Sequence, residues 1–353
     1  MASNLLLGLD IGTSWVKVVL AENRGGKPAL RLIFKQPSSG LRRGAIVDLG
    51  EASQAVGHAL FEVRKQYKSA LKNIYVNIGS TQVKAQSSSG IVAVSRADNE
   101  IYQDDIDRAI RASQAVNLAA NRMIIHNVTR EFIIDGIGDV TDPLGLSGSR
   151  LEVVSLIIDA FSPHIRSLTR AIELSGGRLA GMFFGPIVAS RAVLSKKQKE
   201  LGVALIDIGA GTTGLSVYEE NKLVGVAKFP VGAANVSNDL AIGLKIPVSA
   251  AEELKLDVGC AVAREINAKE LVDMKKFSPE AKGTIQRRFI AEIIEDRLAE
   301  IFEFVNNELK VLGKAGQLPG GAVLVGGGAN MPGITELSTQ KLKLSSQIGS
   351  PLS

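Results

Sequence analysis

The sequence predicts an α/β protein made of two matching halves, with a separate α+β subdomain inserted in the first. Two observations predict it. Leu9-Asp10-Ile11-Gly12-Thr13-Ser14 recurs as Ile206-Asp207-Ile208-Gly209-Ala210-Gly211-Thr212-Thr213. Each copy lies between two apolar runs and begins with Asp at the end of the first, the pattern of a hairpin with a glycine turn. Between the copies the texture changes near Ser80 and returns near Leu201.

In chain order, Leu5–Leu9 and Val16–Leu20 are the strands of the first hairpin. Residues 52–70 have helical character, and Asn73–Ile78 is a strand. Val83–Val94 carries short strand-like pieces around Ser87–Gly90. Gln103–Leu118 shows a helical face through Ile106 and Ile110. Ile124–Ile134 and Leu151–Ala160 are strands, separated by the glycine-rich loop Asp135–Ser149. Ser162-Pro163 opens a helix, with Ser a good N-cap and Pro suited to the first turn. Ser175-Gly176-Gly177 closes it.

Val203–Ile208 and Leu215–Tyr218 form the second hairpin. Ser237–Leu244 and Ser249–Val258 are helices starting at serine caps. Thr284–Leu312 is a long amphipathic helix with Ile285, Phe289, Ile293, Leu298, Ile301, Phe302, Val305 and Leu309 on one side. Ala322–Val325 is a strand running into Gly326–Gly328, with a helix start at Pro332. The tail Lys341–Ser353 shows no periodicity.

Composition narrows the function classes. With 45% hydrophobic and 22% charged residues, the chain can bury a sizeable core. The net charge of +5 comes from interspersed charges rather than a basic tail. No basic cluster with interleaved aromatics is present, so no nucleic-acid partner is expected. Cys260 is the single cysteine, which excludes a disulfide framework and suits a reducing cytoplasm. No apolar stretch approaches the ~18 residues of a membrane span.

The two turns carry the chemistry. Asp10 ends a buried strand, where an unpaired carboxylate would be costly. Gly12 lets the backbone bend and a ligand approach. Thr13 and Ser14 add hydroxyls, and successive N–H groups in such a turn make an anion-binding concavity. Lys17, on the outgoing strand, can reach a phosphate. One such turn is as readily an ordinary hairpin with a polar tip; the second, with Gly209, Gly211, Thr212 and Thr213, favours a polyphosphate gripped from both sides. Asp10 and Asp207 would then act through the waters of Mg²⁺, which takes oxygen ligands and keeps much of its hydration.

Gly326, Gly327 and Gly328 allow close approach of a base and ribose. Glu252 and Lys255, three residues apart on one helix face, can address one ligand. The Gly326–Gly328 turn is not the GxGxxG dinucleotide fingerprint, and GxxxxGK[ST] occurs nowhere, which argues against dinucleotide-binding and P-loop folds.

These hairpins, the Glu–x–x–Lys helix and the triple glycine resemble the actin, sugar-kinase and chaperone ATPase superfamily. Within it the chain resembles the FtsA family of bacterial cell-division proteins. The more specific segments are His126-Asn127-Val128, Asp142 to Arg150, Glu200 to Gly209, Asn235 to Ala241, and Val258 to Ala261. The resemblance implies an actin-like duplicated ATPase fold with subdomain 1A at 1–79 and 162–200, the inserted 1C at 80–161, 2A at 201–231 and 319–353, and 2B at 232–318.

It also implies ATP with Mg²⁺ in the central cleft. Gly12, Thr13, Ser14 and Lys17 would form the first phosphate loop, and Gly209, Gly211, Thr212 and Thr213 the second. Gly232 and Asn235 would lie in a segment approaching the nucleotide, Glu252 and Lys255 at ribose and base, and Gly326–Gly328 at the adenosine. The implied partners are protofilament neighbours, other division proteins through 1C, and the FtsZ C-terminal tail on 2B, where Arg287, Arg288 and Arg297 would suit an acidic peptide. The implied location is cytoplasmic and peripheral, at the inner membrane face of the division site. Attachment would run through a C-terminal helix that does not occur in this sequence.

One departure bears on activity. Brisk hydrolysers of the superfamily carry Glu or Gln near the Phe184-Gly185-Pro186 segment to position water. Here Gly185 stands there, so at most weak ATPase activity is expected, with Asp10 and Asp207 only weakly catalytic. The alternatives are a pilus-assembly actin homologue and a small-molecule kinase of the superfamily; the latter needs a catalytic carboxylate not found in the second half.

Overall fold

The computed structural model describes residues 5–279, 281 and 283–352. Alternating burial along the opening strands sets the first sheet. In β1 (Leu5–Ile11) and β2 (Trp15–Arg24), Leu7, Leu9, Ile11, Val16, Val18 and Leu20 point one way into a core. β3 (Lys27–Pro37) completes an antiparallel meander, followed by the small hairpin of β4 (Leu41–Arg42) and β5 (Ala45–Ile46). Asp48 caps α1 (Leu49–Gln66) by accepting from the Glu51 N–H, and α1 lays Val56, Leu60 and Val63 on the sheet. β6 (Ile74–Ile78) then joins β1 in parallel.

The insert follows: β7 (Val83–Ala93), α2 (Gln103–Ser113), β8 (Arg122–Ile134), β9 (Ile137–Val140) and β10 (Arg150–Phe161), with sheet order β7-β10-β8-β9. Gly90 lets α2 cross β7 closely; a Cβ there would stand 2.1 Å from the Ala109 carbonyl oxygen. The chain returns through α3 (Ser162–Leu174), β11 (Leu179–Phe184), α4 (Gly185–Val193) and α5 (Lys196–Leu201).

The second half repeats the first. It contains β12 (Val203–Ile208), β13 (Thr213–Glu219), β14 (Lys222–Phe229), α6 (Ala233–Leu244), α7 (Val248–Val258), β15 (Leu271–Asp273), β16 (Thr284–Gln286), α8 (Arg287–Val311), β17 (Ala322–Val325), α9 (Ile334–Leu342) and β18 (Ser346–Ile348). The two large sheets run β3-β2-β1-β6-β11 and β14-β13-β12-β17-β18. In both, an antiparallel meander is extended by two parallel strands on the side of its first strand. The duplication expected from two turn motifs is therefore a duplication of whole sheets.

The insert also touches the second half. Leu156 and Ile158 share a core with Val203, Leu205, Tyr218 and Val323. Arg130 Nε donates to the Leu223 carbonyl at 2.9 Å, and Lys222 Nζ reaches Asp139 at 2.8 Å and Glu131 at 3.2 Å. At its root, Arg122 and Asp159 form an almost fully buried ion pair.

Several boundaries differ from the sequence expectation. α6 starts at Ala233 rather than after a Ser237 cap, because Asn235 Oδ1 accepts from the Gly232 N–H at 3.0 Å and closes the turn earlier. The long helix starts at Arg287, since Thr284–Gln286 pairs with Leu271–Asp273. The expected pieces over 83–94 form one strand, Val83–Ala93, held along its length by β10, and the expected loop 135–149 contains β9. α2 ends at Ser113, short of Leu118. β3 and β14 were not anticipated. In the unperiodic tail, Ser346–Ile348 pairs with β17, and Ser353 lies outside the described residues.

A cleft between two glycine turns

The strand ends of β1 and β12 deliver the two turns to opposite walls of one cleft of about 750 Å³. That volume lies within the range of small-molecule sites. The turns meet: a Cβ built on Gly211 would lie 2.6 Å from Thr13 Oγ1 and 3.0 Å from Thr13 Cβ. Each turn closes on itself, with Gly12 N–H donating to the Trp15 carbonyl at 3.0 Å and Gly209 N–H to that of Thr212 at 2.9 Å. This leaves the backbone N–H groups of Thr13, Ser14, Ala210 and Gly211, all lining the cleft, with no acceptor among the described residues. Unpaired amides from two facing turns are a fitting cradle for phosphate oxygens.

The carboxylates stand at the same place in each half. Asp10 accepts from Asn77 Nδ2 at 2.6 Å and pairs with Lys17 Nζ at 3.0 Å. Asp207 faces the cleft with no hydrogen-bond partner among the described residues. Burial pulls the Lys17 ammonium down, but Asp10 and Asp207 together outweigh it and hold its pKa above the ordinary lysine value. Among the described residues no three His, Cys, Asp or Glu side chains converge as a metal cage. Two carboxylates beside a phosphate cradle fit Mg²⁺, which keeps several waters and shares its oxygens with phosphate.

Beyond the turns, Lys255 Nζ is buried and donates to Glu252 at 2.7 Å, Ser237 Oγ at 3.0 Å and the Ala233 carbonyl at 3.3 Å. The Ser237 hydroxyl also donates to Glu252. Glu252, Lys255, Val248 and Leu256 on α7 face Gly326–Gly328 and Asn330 to Pro332 across this part of the cleft. Gly326, at φ +89°, packs on the Ile208 carbonyl, whereas a Cβ on Gly327 would meet nothing within 4 Å, leaving that wall open to a ligand.

The structure thus brings Asp10, Gly12, Thr13, Ser14, Lys17, Asp207, Gly209, Gly211, Thr212, Glu252, Lys255 and Gly326–Gly328 to one cleft. Thr213, Gly232 and Asn235, expected there, stand behind the lining. Thr213 Oγ1 donates to the buried Val231 carbonyl at 2.9 Å. A Cβ on Gly232 would strike the Gly209 carbonyl at 2.5 Å, so Gly232 shapes the second turn, and Asn235 caps α6. Sequence reasoning missed Asn77 and Lys228, which line the same space without any motif, and expected Ser237 only as a helix cap.

The cleft and the paired sheets agree with what the chain is similar to. Over 349 residues, 99% of this chain and 79% of the relative, it is 34% identical to the cell division protein FtsA of Bacillus subtilis. This chain belongs to the FtsA family. A second FtsA, from Pseudomonas aeruginosa, is 30% identical over 353 residues and 84% of its own length. The family model for cell division protein FtsA matches residues 204–353, and that for the SHS2 domain inserted in FtsA matches residues 80–158.

Solved structures give the fold. A PilM–PilN type IV pilus biogenesis complex aligns over 97% of this chain and 87% of that chain, with TM-score 0.68 at 17% identity. MreB5 of Spiroplasma citri bound to ADP aligns over 99% and 93%, with TM-score 0.59 at 15% identity. The fold is the actin-like ATPase fold. In this FtsA-family chain, two of the three arginines expected to meet a partner peptide are already engaged. Arg297 pairs with Asp239 at 2.5 Å and with Glu300. Arg287 holds the Val258 carbonyl and Glu270. Arg288, more exposed, has only a 3.5 Å contact with Glu292. No helix of the described residues is long and apolar enough to cross a membrane.

Proposed function

We propose that this FtsA-family chain binds ATP with Mg²⁺ between its two glycine turns and uses the bound nucleotide to fix the cleft in a polymerising shape. The observation that carries the reading is the meeting of Gly211 and Thr13 across the cleft, with unpaired N–H groups on both sides. A ligand that bridges the turns joins the two halves; one that leaves lets them part. Thr13, Ser14, Ala210 and Gly211 would bind phosphate oxygens through backbone N–H. Asp10, held by Asn77 and Lys17, and Asp207 would orient the waters of Mg²⁺, which neutralises phosphate charge when bound. Glu252, Lys255 and Gly326–Gly328 would hold ribose and base. MreB5 bound to ADP supports nucleotide occupancy of this fold.

Hydrolysis is slow in this reading. Gly185 at the start of α4 offers no side chain, and Asn77, the nearest side chain at 3.6 Å from where its Cβ would be, already has its amide engaged with Asp10 and Ile11. Of the carboxylates lining the cleft, Asp10 and Glu252 hold partners and Asp207 is assigned to the waters of Mg²⁺, so none of the three is left over as a general base in this reading.

Family membership supports a division role: protofilaments at the cytoplasmic face of the membrane, division proteins on the insert, and the acidic FtsZ tail on α8. Arg288, beside the half-exposed Phe289, is the α8 arginine best placed for that tail, since Arg287 and Arg297 hold internal partners. Sedimentation with ATP and lipid tests polymerisation. Filaments are expected, and a monomer at every concentration would defeat the reading. Binding of an FtsZ tail peptide separates division from pilus assembly, and loss of that binding in Arg288→Glu is expected.

A further inference from the structure

The two hairpins carry the same register, and one difference between them bears on the cleft. Across the first sheet, Asp10 pairs with Lys17 and Lys17 with Lys35. Across the second, Asp207 pairs with Gly214 and Gly214 with Lys228. In-register neighbours lie on one face of a sheet. Gly214 is therefore the counterpart of Lys17, without the side chain.

Lys228 covers that gap. A Cβ built on Gly214 would lie 3.4 Å from both Cδ and Nζ of Lys228, so the lysine lies along the glycine. Pro186 Cγ stands 2.6 Å from the same point. Lys228 lines the cleft. Of the lysines doing so, Lys17 is bound to Asp10 and Lys255 to Glu252, whereas Lys228 has no partner among the described residues. Its counterpart Lys35 is turned instead onto the Trp15 ring, 4.8 Å away. A half-buried ammonium without an acceptor is paid no return for its lost hydration; an anionic ligand supplies one.

Contacts fix which end of the cleft this is. Asp10 touches Asn77, Asn77 stands beside Gly185, and Pro186 stands over Gly214 and Lys228. The α7 residues Glu252 and Lys255 form a separate group with Ser237 and Ala233. Lys228 thus belongs with the carboxylate of the first turn, away from the ribose and base contacts.

We propose that Lys228 binds the terminal phosphate of the nucleotide, as the second half's substitute for Lys17, and so distinguishes tri- from diphosphate. This rests on the nucleotide reading of the cleft. The test is titration of wild type, Lys228→Met, Lys228→Arg and Lys35→Met with ATP and with ADP, both with Mg²⁺, by calorimetry. Lys228→Met should weaken ATP roughly ten- to hundred-fold, the worth of one charge-assisted hydrogen bond, and leave ADP within about twofold. Lys228→Arg should restore most of the ATP affinity, and Lys35→Met should change neither. An unchanged ATP-to-ADP ratio in Lys228→Met, whether through no loss or through parallel loss, overturns the assignment while the cleft reading stands. Wild type binding neither nucleotide overturns both.

Discussion

Gly211→Ala tests whether the two turns act as a clamp. The added methyl would begin 2.6 Å from Thr13 Oγ1 and 3.0 Å from both Cβ and Cγ2 of Thr13, against 3.4 Å for an ordinary contact. Turning Thr13 about χ1 moves its oxygen and methyl but not its Cβ, and forfeits the 3.3 Å bond from the Gly44 N–H. The turns must therefore part by a few tenths of an ångström or more. Overpacking of this kind costs about 1–3 kcal/mol. The cost falls on closure, since the free protein can relieve it by opening the cleft. ATP affinity should drop roughly 5- to 150-fold, while the melting temperature without nucleotide moves little. Calorimetric titration measures the first and a thermal melt the second. Adding Thr13→Ala removes two of the three crowded atoms, and the double variant should recover part of the loss, a non-additivity typical of residues in contact. Gly211→Ala binding ATP as tightly as wild type would refute the idea that the turns close on one ligand.

Three further outcomes follow from the geometry. Lys255→Met keeps the buried volume but removes three hydrogen bonds at Nζ, so it should destabilise the fold by about 1–3 kcal/mol in a denaturant titration; an unchanged midpoint would show the network idle. His126 Nε2 accepts from the Phe184 N–H at 2.9 Å, and burial, with Arg191 nearby, holds its imidazole below the ordinary 6.5. A folded-state value below the unfolded one gives stability that is present above the unfolded value and lost as pH falls through the folded one. Melts should therefore weaken on acidification from neutral pH, and His126→Gln should weaken less; equal slopes would remove His126 from the account. Lys222→Ala removes the ion pairs to the largely exposed Asp139 and to Glu131, so global stability should change little. Hydrogen exchange should rise in Ile137–Val140, and unchanged protection there would place the contact between insert and second half elsewhere.

The paired turns were readable in the sequence because their signal is local: an apolar run, Asp, glycine, hydroxyls and a second run within a few residues. Helix starts with a nearby cap were readable for the same reason, as at Ser162-Pro163, though Phe161 takes the cap position itself. At α6 two local signals competed, and the Gly232–Asn235 turn prevailed over Ser237 because the Ala233 and Ala234 N–H groups also find the Gly209 and Ala210 carbonyls. What was not readable depends on distant pairing. Lys228 is an unremarked lysine until β14 is in register with Gly214. Arg297 looks like a free basic residue until Asp239, on another helix, is found against it. β3 hid for a different reason: Leu30 and Ile33 are largely exposed, so its burial pattern alternates weakly.

The most direct test of the central claim is a structure of this chain with Mg²⁺ and a non-hydrolysable ATP analogue. The account predicts the phosphates between the N–H groups of Thr13 and Ser14 on one side and Ala210 and Gly211 on the other, with Asp10 and Asp207 facing the metal's waters. Nucleotide bound elsewhere, or no nucleotide in the cleft at saturating concentration, would contradict it.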